Sequence, residues 1–152
     1  MWTINELREA VCRKLESLPE LAGVPVIPED RQNVVTEITK ALSQAKGLCV
    51  VVNTGEGRCD APGNPAATSE LQLLVEIAEI PVINRSPAGL RLPAVDVMGI
   101  VVSTLHQHTD PTGGTLTFVD WSFMNDKVIK YTPAFSTRVM FKPLARKDHY
   151  NA

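Results

Sequence analysis

The chain lacks most of the features that announce a chemistry. Its three cysteines, Cys12, Cys49 and Cys59, are odd in number and have no CxxC spacing. That excludes a stapled disulfide framework and fits a reduced, cytoplasmic setting. Fifteen Lys and Arg stand against seventeen Asp and Glu, a net charge of −2. With no basic excess to neutralise phosphates, nucleic-acid specificity is not expected. No stretch approaches the roughly 20 apolar residues of a membrane span. The opening MWTINELREAV carries charges inside a helical pattern, so it reads as a helix and not as a signal peptide. What remains, 44% hydrophobic and 21% charged over 152 residues, is the composition of a folded domain with a real core.

Possible catalytic motifs each lose a necessary part. His106-Gln107-His108-Thr109-Asp110 has the HxHxD form of metallo-β-lactamase-type sites, in which clustered ligands let a metal activate water. The next residue is Pro111 where a further histidine is needed, and the only other histidine is His149. A polar helix end followed by an Asp-Pro turn accounts for the segment, so no metal is expected. Gly55-Glu56-Gly57-Arg58-Cys59 follows a strand as phosphate loops do, yet lacks GK[ST] and a following helix. Cys59 beside Arg58 is the one candidate nucleophile, without a base close in sequence. The pairs Glu76/Glu79 and Asp120/Asp126 read as solvated, and the aromatic residues as core. No cofactor is expected, and the chain reads as non-enzymatic.

Periodicity supplies the fold. Thr3-Ile4-Asn5-Glu6 is a capping box. It opens a helix whose stripe is Ile4, Leu7, Val11, Leu15 and Leu18, stopped by Pro19. Residues 24–27 lie between Pro25 and Pro28, an edge strand at most. A second helix follows, with Val34, Val35, Ile38, Ala41, Leu42 and Ala45 inward and polar residues outward, ending at Gly47. Residues 48–53 form a buried strand. Residues 54–69 read as a long Gly/Pro-rich loop, mobile in the free subunit. Alternation at Leu71, Leu73, Val75 and Ile77 predicts a half-buried strand running on toward Ile83. Residues 84–89 are irregular. Two strands over 115–124 and 128–142, joined at Asn125-Asp126-Lys127, make a hairpin. The fold class is α+β: a mainly antiparallel sheet with helices on one face, order α-(β)-α-β-β-α-β-β. Residues 1–145 form one domain and 146–152 a flexible tail.

The helix at 92–105 differs from the one at 34–45. Ala94, Val95, Met98, Val101, Val102 and Leu105 form a core stripe, but Val97, Gly99 and Ile100 leave the opposite side apolar too. Contiguous exposed apolar surface marks an interface. The expected oligomer interface is therefore Val97, Gly99 and Ile100, with Leu74 and Ile80 as the complementary patch. The irregular segments supply a partner-contact loop at Gly55, Gly57, Arg58, Asn84 and Arg85.

The succession of a capped helix, a polar-faced helix, a strand, a long loop, a strand, an apolar helix and a final hairpin resembles the tail terminator proteins of tailed phages. These are the minor tail protein U-like and tail-completion families. The likeness covers roughly residues 3–142, including the closing strand Phe135-Ser136-Thr137-Arg138-Val139-Met140-Phe141. It implies a ring subunit, six to a ring, that caps the tail tube, offers the head-docking surface and resides in the virion tail after assembly in the host cytoplasm. Its partners would be itself, the tail tube and the head-neck proteins, with no membrane. The competing reading is a small-molecule-binding or regulatory domain with residues 54–69 as a lid.

Overall fold

The capping box forms as its spacing predicts. In the computed structural model, which describes residues 1–29, 38–40, 42, 46–64, 66–109 and 114–141, helix α1 spans Ile4–Glu16. The Glu6 amide donates to Thr3 Oγ1 at 3.3 Å, and the Thr3 amide donates to Glu6 Oε2 at 3.1 Å. Leu7, Val11, Cys12 and Leu15 are buried, with Ile4 and Leu18 half-buried on the same core. Arg13 and Lys14 complement the negative end of the helix, and Pro19 begins a separate short turn.

Among the described residues five strands follow: β1 (Val26–Pro28), β2 (Leu48–Cys59), β3 (Ser69–Glu79), β4 (Thr117–Asn125) and β5 (Ile129–Val139). Their order in the sheet is β1-β2-β3-β5-β4. β1 runs parallel to β2, and every other pair is antiparallel. The fold is α+β, as the pattern of elements predicts.

Period-two alternation gives the sheet two apolar faces. On one, Leu48, Val50 and Val52 of β2, Leu71, Leu73, Val75 and Ile77 of β3, and Phe135 and Val139 of β5 meet α1 and the later helix α3. On the other, Cys49, Val51 and Ala78 pack with Ile27 and Leu42, and with the half-buried Ile38. Most of the helix expected over 34–45 lies outside the described residues. Of it, residues 38–40 and 42 are helical, and Thr39 and Lys40 are exposed.

Two expected boundaries move. Residues 54–59 are strand, not loop: β2 continues, with a bulge between Thr54 and Gly57, until Cys59 pairs with Ser69. The loop at this end is only residues 60–68, and its ends are tied. Arg138 and the Thr68 hydroxyl both bond Asp60 Oδ2, and Ser69 Oγ donates to the Arg58 carbonyl at 2.9 Å. Gly57 and Arg58 pair with Leu71 and Glu70 in the sheet, while Gly55 lies in the bulge. At the other end, β3 stops at Glu79, because Pro81 has no N–H for a ladder and starts a helical turn, α2 (Pro81–Asn84).

That corner is the tightest part of the molecule. Glu79, expected to be solvated, is 1% exposed. Its carboxylate accepts from Asn84 Nδ2 at 2.5 Å, from Arg85 Nη2 at 3.4 Å and from the Ala94 amide at 3.4 Å. Three donors and a helix N-terminus offset the cost of burying the charge. Gly47 holds φ +79°, and a Cβ there would stand 2.8 Å from the Asn84 nitrogen. A Cβ on Gly89 would stand 2.1 Å from the Asn84 carbonyl oxygen. Only glycine fits either place.

The corner also sets the rotation of α3 (Ala94–Leu105). Ala94 is fixed inward by its bond to Glu79. Positions three, seven and eleven further on, Val97, Val101 and Leu105, are then buried with it. Val97 therefore belongs to the core and Val95 is the outward residue, 47% exposed, the reverse of the expected assignment. Ile100 is half-buried against the main core.

Candidate interaction surface

β4 is the element with the least cover. Its nine residues run Thr-Phe-Val-Asp-Trp-Ser-Phe-Met-Asn, and all but Phe118 are exposed. Val119 is 58% exposed, Trp121 54%, Phe123 48% and Met124 58%. A half-buried strand needs apolar residues on one side only, and β4 has them on both. Among the described residues it is also the last strand of the sheet, paired with β5 alone, so its outer row of N–H and C=O groups faces outward.

The base of the hairpin is clamped. Phe118 pairs with the buried Phe135, their rings 5.7 Å apart and edge to face. The Phe118 amide donates to His106 Nδ1 at 3.1 Å, just past the end of α3. The Gln107 amide donates to the Leu116 carbonyl at 2.8 Å, and the Leu116 amide returns to the His108 carbonyl at 3.0 Å. Beyond that clamp the aromatic residues continue on the same face. Trp121 pairs with Pro133 and Phe123 with Tyr131, and Tyr131 lies 6.2 Å from Trp121 and 4.8 Å from Phe123. Cross-strand pairs of this kind hold a hairpin rigid. The result is a stiff aromatic ledge that nothing in the described chain covers.

The expected interface residues are placed otherwise. Val97 is buried, Ile100 and Leu74 are half-buried, and Ile80 packs on the second core cluster. Gly99 is exposed, with nothing within 4 Å of where its Cβ would stand. Of the expected contact loop, Gly55, Gly57 and Arg58 lie in β2 and Asn84 is wholly buried in the Glu79 corner. Arg85 pairs with Glu79 at 3.4 Å. These residues do not form one surface. The signal for the hairpin was present in 118–124, where apolar residues occupy both parities, though aromatic residues in strands usually mean core.

The histidines and cysteines have structural places. His106 is the acceptor for Phe118, and the His108 ring stacks on Trp2 with centroids 6.4 Å apart. Asp110 lies outside the described residues. Among the described residues no three His, Cys, Asp or Glu side chains converge on a metal position. Burial pushes the Cys49 thiol up to about 12, so it stays protonated at neutral pH. Cys59 is exposed, its Sγ donating to the Ala61 carbonyl at 3.2 Å.

A second apolar patch lies beyond the end of β5. Met140 is 41% and Phe141 49% exposed, and the Met140 amide donates to the Trp2 carbonyl at 3.0 Å. Together with Thr3, Ile4, Asn5 and Arg8 they line an open groove of ≈ 430 Å³. No protein-family model matches the chain, and no curated protein is significantly similar to it.

Proposed function

We propose that this chain is a non-enzymatic assembly subunit, a ring-forming terminator of a phage tail that caps the tail tube and presents a surface to the head. The exposure of β4 carries the reading. Large apolar side chains at 48–58% exposure on a rigid edge strand are costly to leave in water. Burying each in an interface gains about 1.5–3 kcal/mol. The order of the described elements, helix, strands, helix and closing hairpin, supports the tail-terminator assignment. Ring closure requires a heterologous contact, in which one patch meets a different one on the next subunit. The hairpin and the groove at Met140–Phe141 are two such patches.

The test is to purify the protein and determine its mass by light scattering, alone and with the tail-tube protein of the same genome. Rings of six, and tubes that shorten when polymerised in their presence, are the expected result. A monomer at every concentration, with tube length unchanged, would refute the assignment.

A further inference from the structure

We infer that the outer edge of β2 beyond Val52 receives strand β4 of a second copy of this chain, antiparallel and in the same sheet. The inference rests on the assembly reading above and gives the hairpin a specific counterpart, a third patch besides the hairpin and the groove. β1 closes its side of the sheet only opposite Val50, Val51 and Val52. From Asn53 to Cys59, among the described residues, β2 pairs with β3 alone, and Glu56, Gly57, Arg58 and Cys59 are exposed. An open row of N–H and C=O groups is a template for another strand. The sheet therefore has one such row on each side, this one and that of β4.

Direction, face and charge fit the two rows to each other. β2, β3, β5 and β4 alternate in direction across the sheet, so β4 runs opposite to β2. A second copy set beside the first in the same orientation thus presents β2 antiparallel to β4, with both faces of the sheet continuing. Asp120 pairs with Ala134 and Ala134 with Leu74, while Arg58 pairs with Glu70, on the same side of β3 as Leu74. Asp120 and Arg58 therefore share a face. Trp121 pairs with Pro133, and Gly57 with the buried Leu71, so these two share the other face. Setting Asp120 opposite Arg58 sets Trp121 opposite Gly57, where the missing side chain leaves room for the indole. That register joins the only charge of β4 to the cation of the β2 edge and leaves Glu56 facing Ser122. The two rows are different patches on each chain, so the contact is head-to-tail and propagates around a ring.

Cross-linking and charge reversal test this independently. Cys59, beside Arg58, is exposed, whereas Cys12 and Cys49 are buried. Val119, beside Asp120, is exposed as well. In the variant Val119→Cys the new thiol lies opposite Cys59 of the neighbouring copy. A short bismaleimide is expected to link successive chains into a ladder of multiples of 16.6 kDa on a denaturing gel. Adding Cys59→Ser to that variant removes the ladder. Arg58→Asp and Asp120→Arg change exposed residues and keep the fold, as circular dichroism will verify. Each weakens assembly about tenfold, and the two placed in one chain restore it, because every contact again joins opposite charges. Three results overturn the β2 edge as the receiver and leave the assembly reading intact: wild-type rings with no ladder from Val119→Cys, a ladder that persists without Cys59, or a double charge variant no better than the single ones. A wild-type protein that is itself monomeric overturns both.

Discussion

The sheet has two edges, and they are built to opposite ends. β1 is three residues long and bounded by Pro25 and Pro28. Its Ile27 is 7% exposed and packs with Leu42 on the second face. Short length and proline are the ordinary ways of closing an edge against other strands. β4 is three times as long, has no proline, and exposes aromatic and aliphatic side chains on both faces. Its only charge is Asp120, beside the bulge between Phe118 and Asp120. One edge is closed and the other is open, and the open one is the surface that the proposed assembly uses. The contrast separates what stabilises the fold from what the proposal assigns to assembly.

The largest effect expected lies within the hairpin itself. Phe135 is wholly buried where β5 crosses the main core. Phe135→Ala should cost about 3–5 kcal/mol in urea unfolding. Trp121→Ala, on the partner strand, should change monomer stability by no more than about 0.5 kcal/mol. Equal losses at the two sites would mean that the outer edge is part of the monomer's core.

Ile100→Glu comes next. Ile100 is half-buried against the core, so a carboxylate there should destabilise the fold by about 1–3 kcal/mol and lower the melting temperature. If the variant keeps full stability and loses only assembly, α3 and not β4 is the interface. Gly99, one residue away, is exposed with free space around it. Gly99→Ala should therefore stabilise the helix by about 0.5–1 kcal/mol without altering the mass in solution. Loss of assembly in that variant would show that a neighbour approaches the helix closely.

The smallest effect belongs to the closed edge. Glu29 follows β1, its amide donating to the Val52 carbonyl at 3.0 Å. Burial, then Glu76, raises its pKa above 4.5, against the opposing pull of Arg8 and Lys130. The folded state thus holds this proton more tightly than the unfolded state. The associated stability is complete below pH 4.5 and is lost as pH rises through the raised value. Glu29→Gln should remove that part of the pH dependence, flattening the melting profile just above pH 4.5. A profile identical to wild type would show that Glu29 is not the group responsible.

How much of this could be read from the amino acids differs between the two kinds of feature. The capping box at Thr3, the alternation in β3 and the closing hairpin are local patterns, and each formed where its spacing placed it. The rotation of α3 was not local. It depends on Glu79, fifteen residues away, taking the Ala94 amide, and a periodicity spread over two overlapping stripes admits either orientation. The Gly-rich run after Asn53 also misled, since glycine usually marks a loop. Here Gly55 lies within, and Gly57 at the end of, a bulge in a strand that β3 holds by pairing on both sides of it. The exposure of β4 was missed for a related reason. Whether an aromatic strand is core or edge depends on what covers it, and cover is a property of sheet order. Nothing within 117–125 states that β5 intervenes between β3 and β4.

The claim that β4 is the joining surface is tested most directly by light scattering on wild type and on the double variant Trp121→Asp/Phe123→Asp. The account predicts a wild-type ring of six times the 16.6 kDa chain and a folded, monomeric double variant. A double variant with the mass of wild type would contradict it.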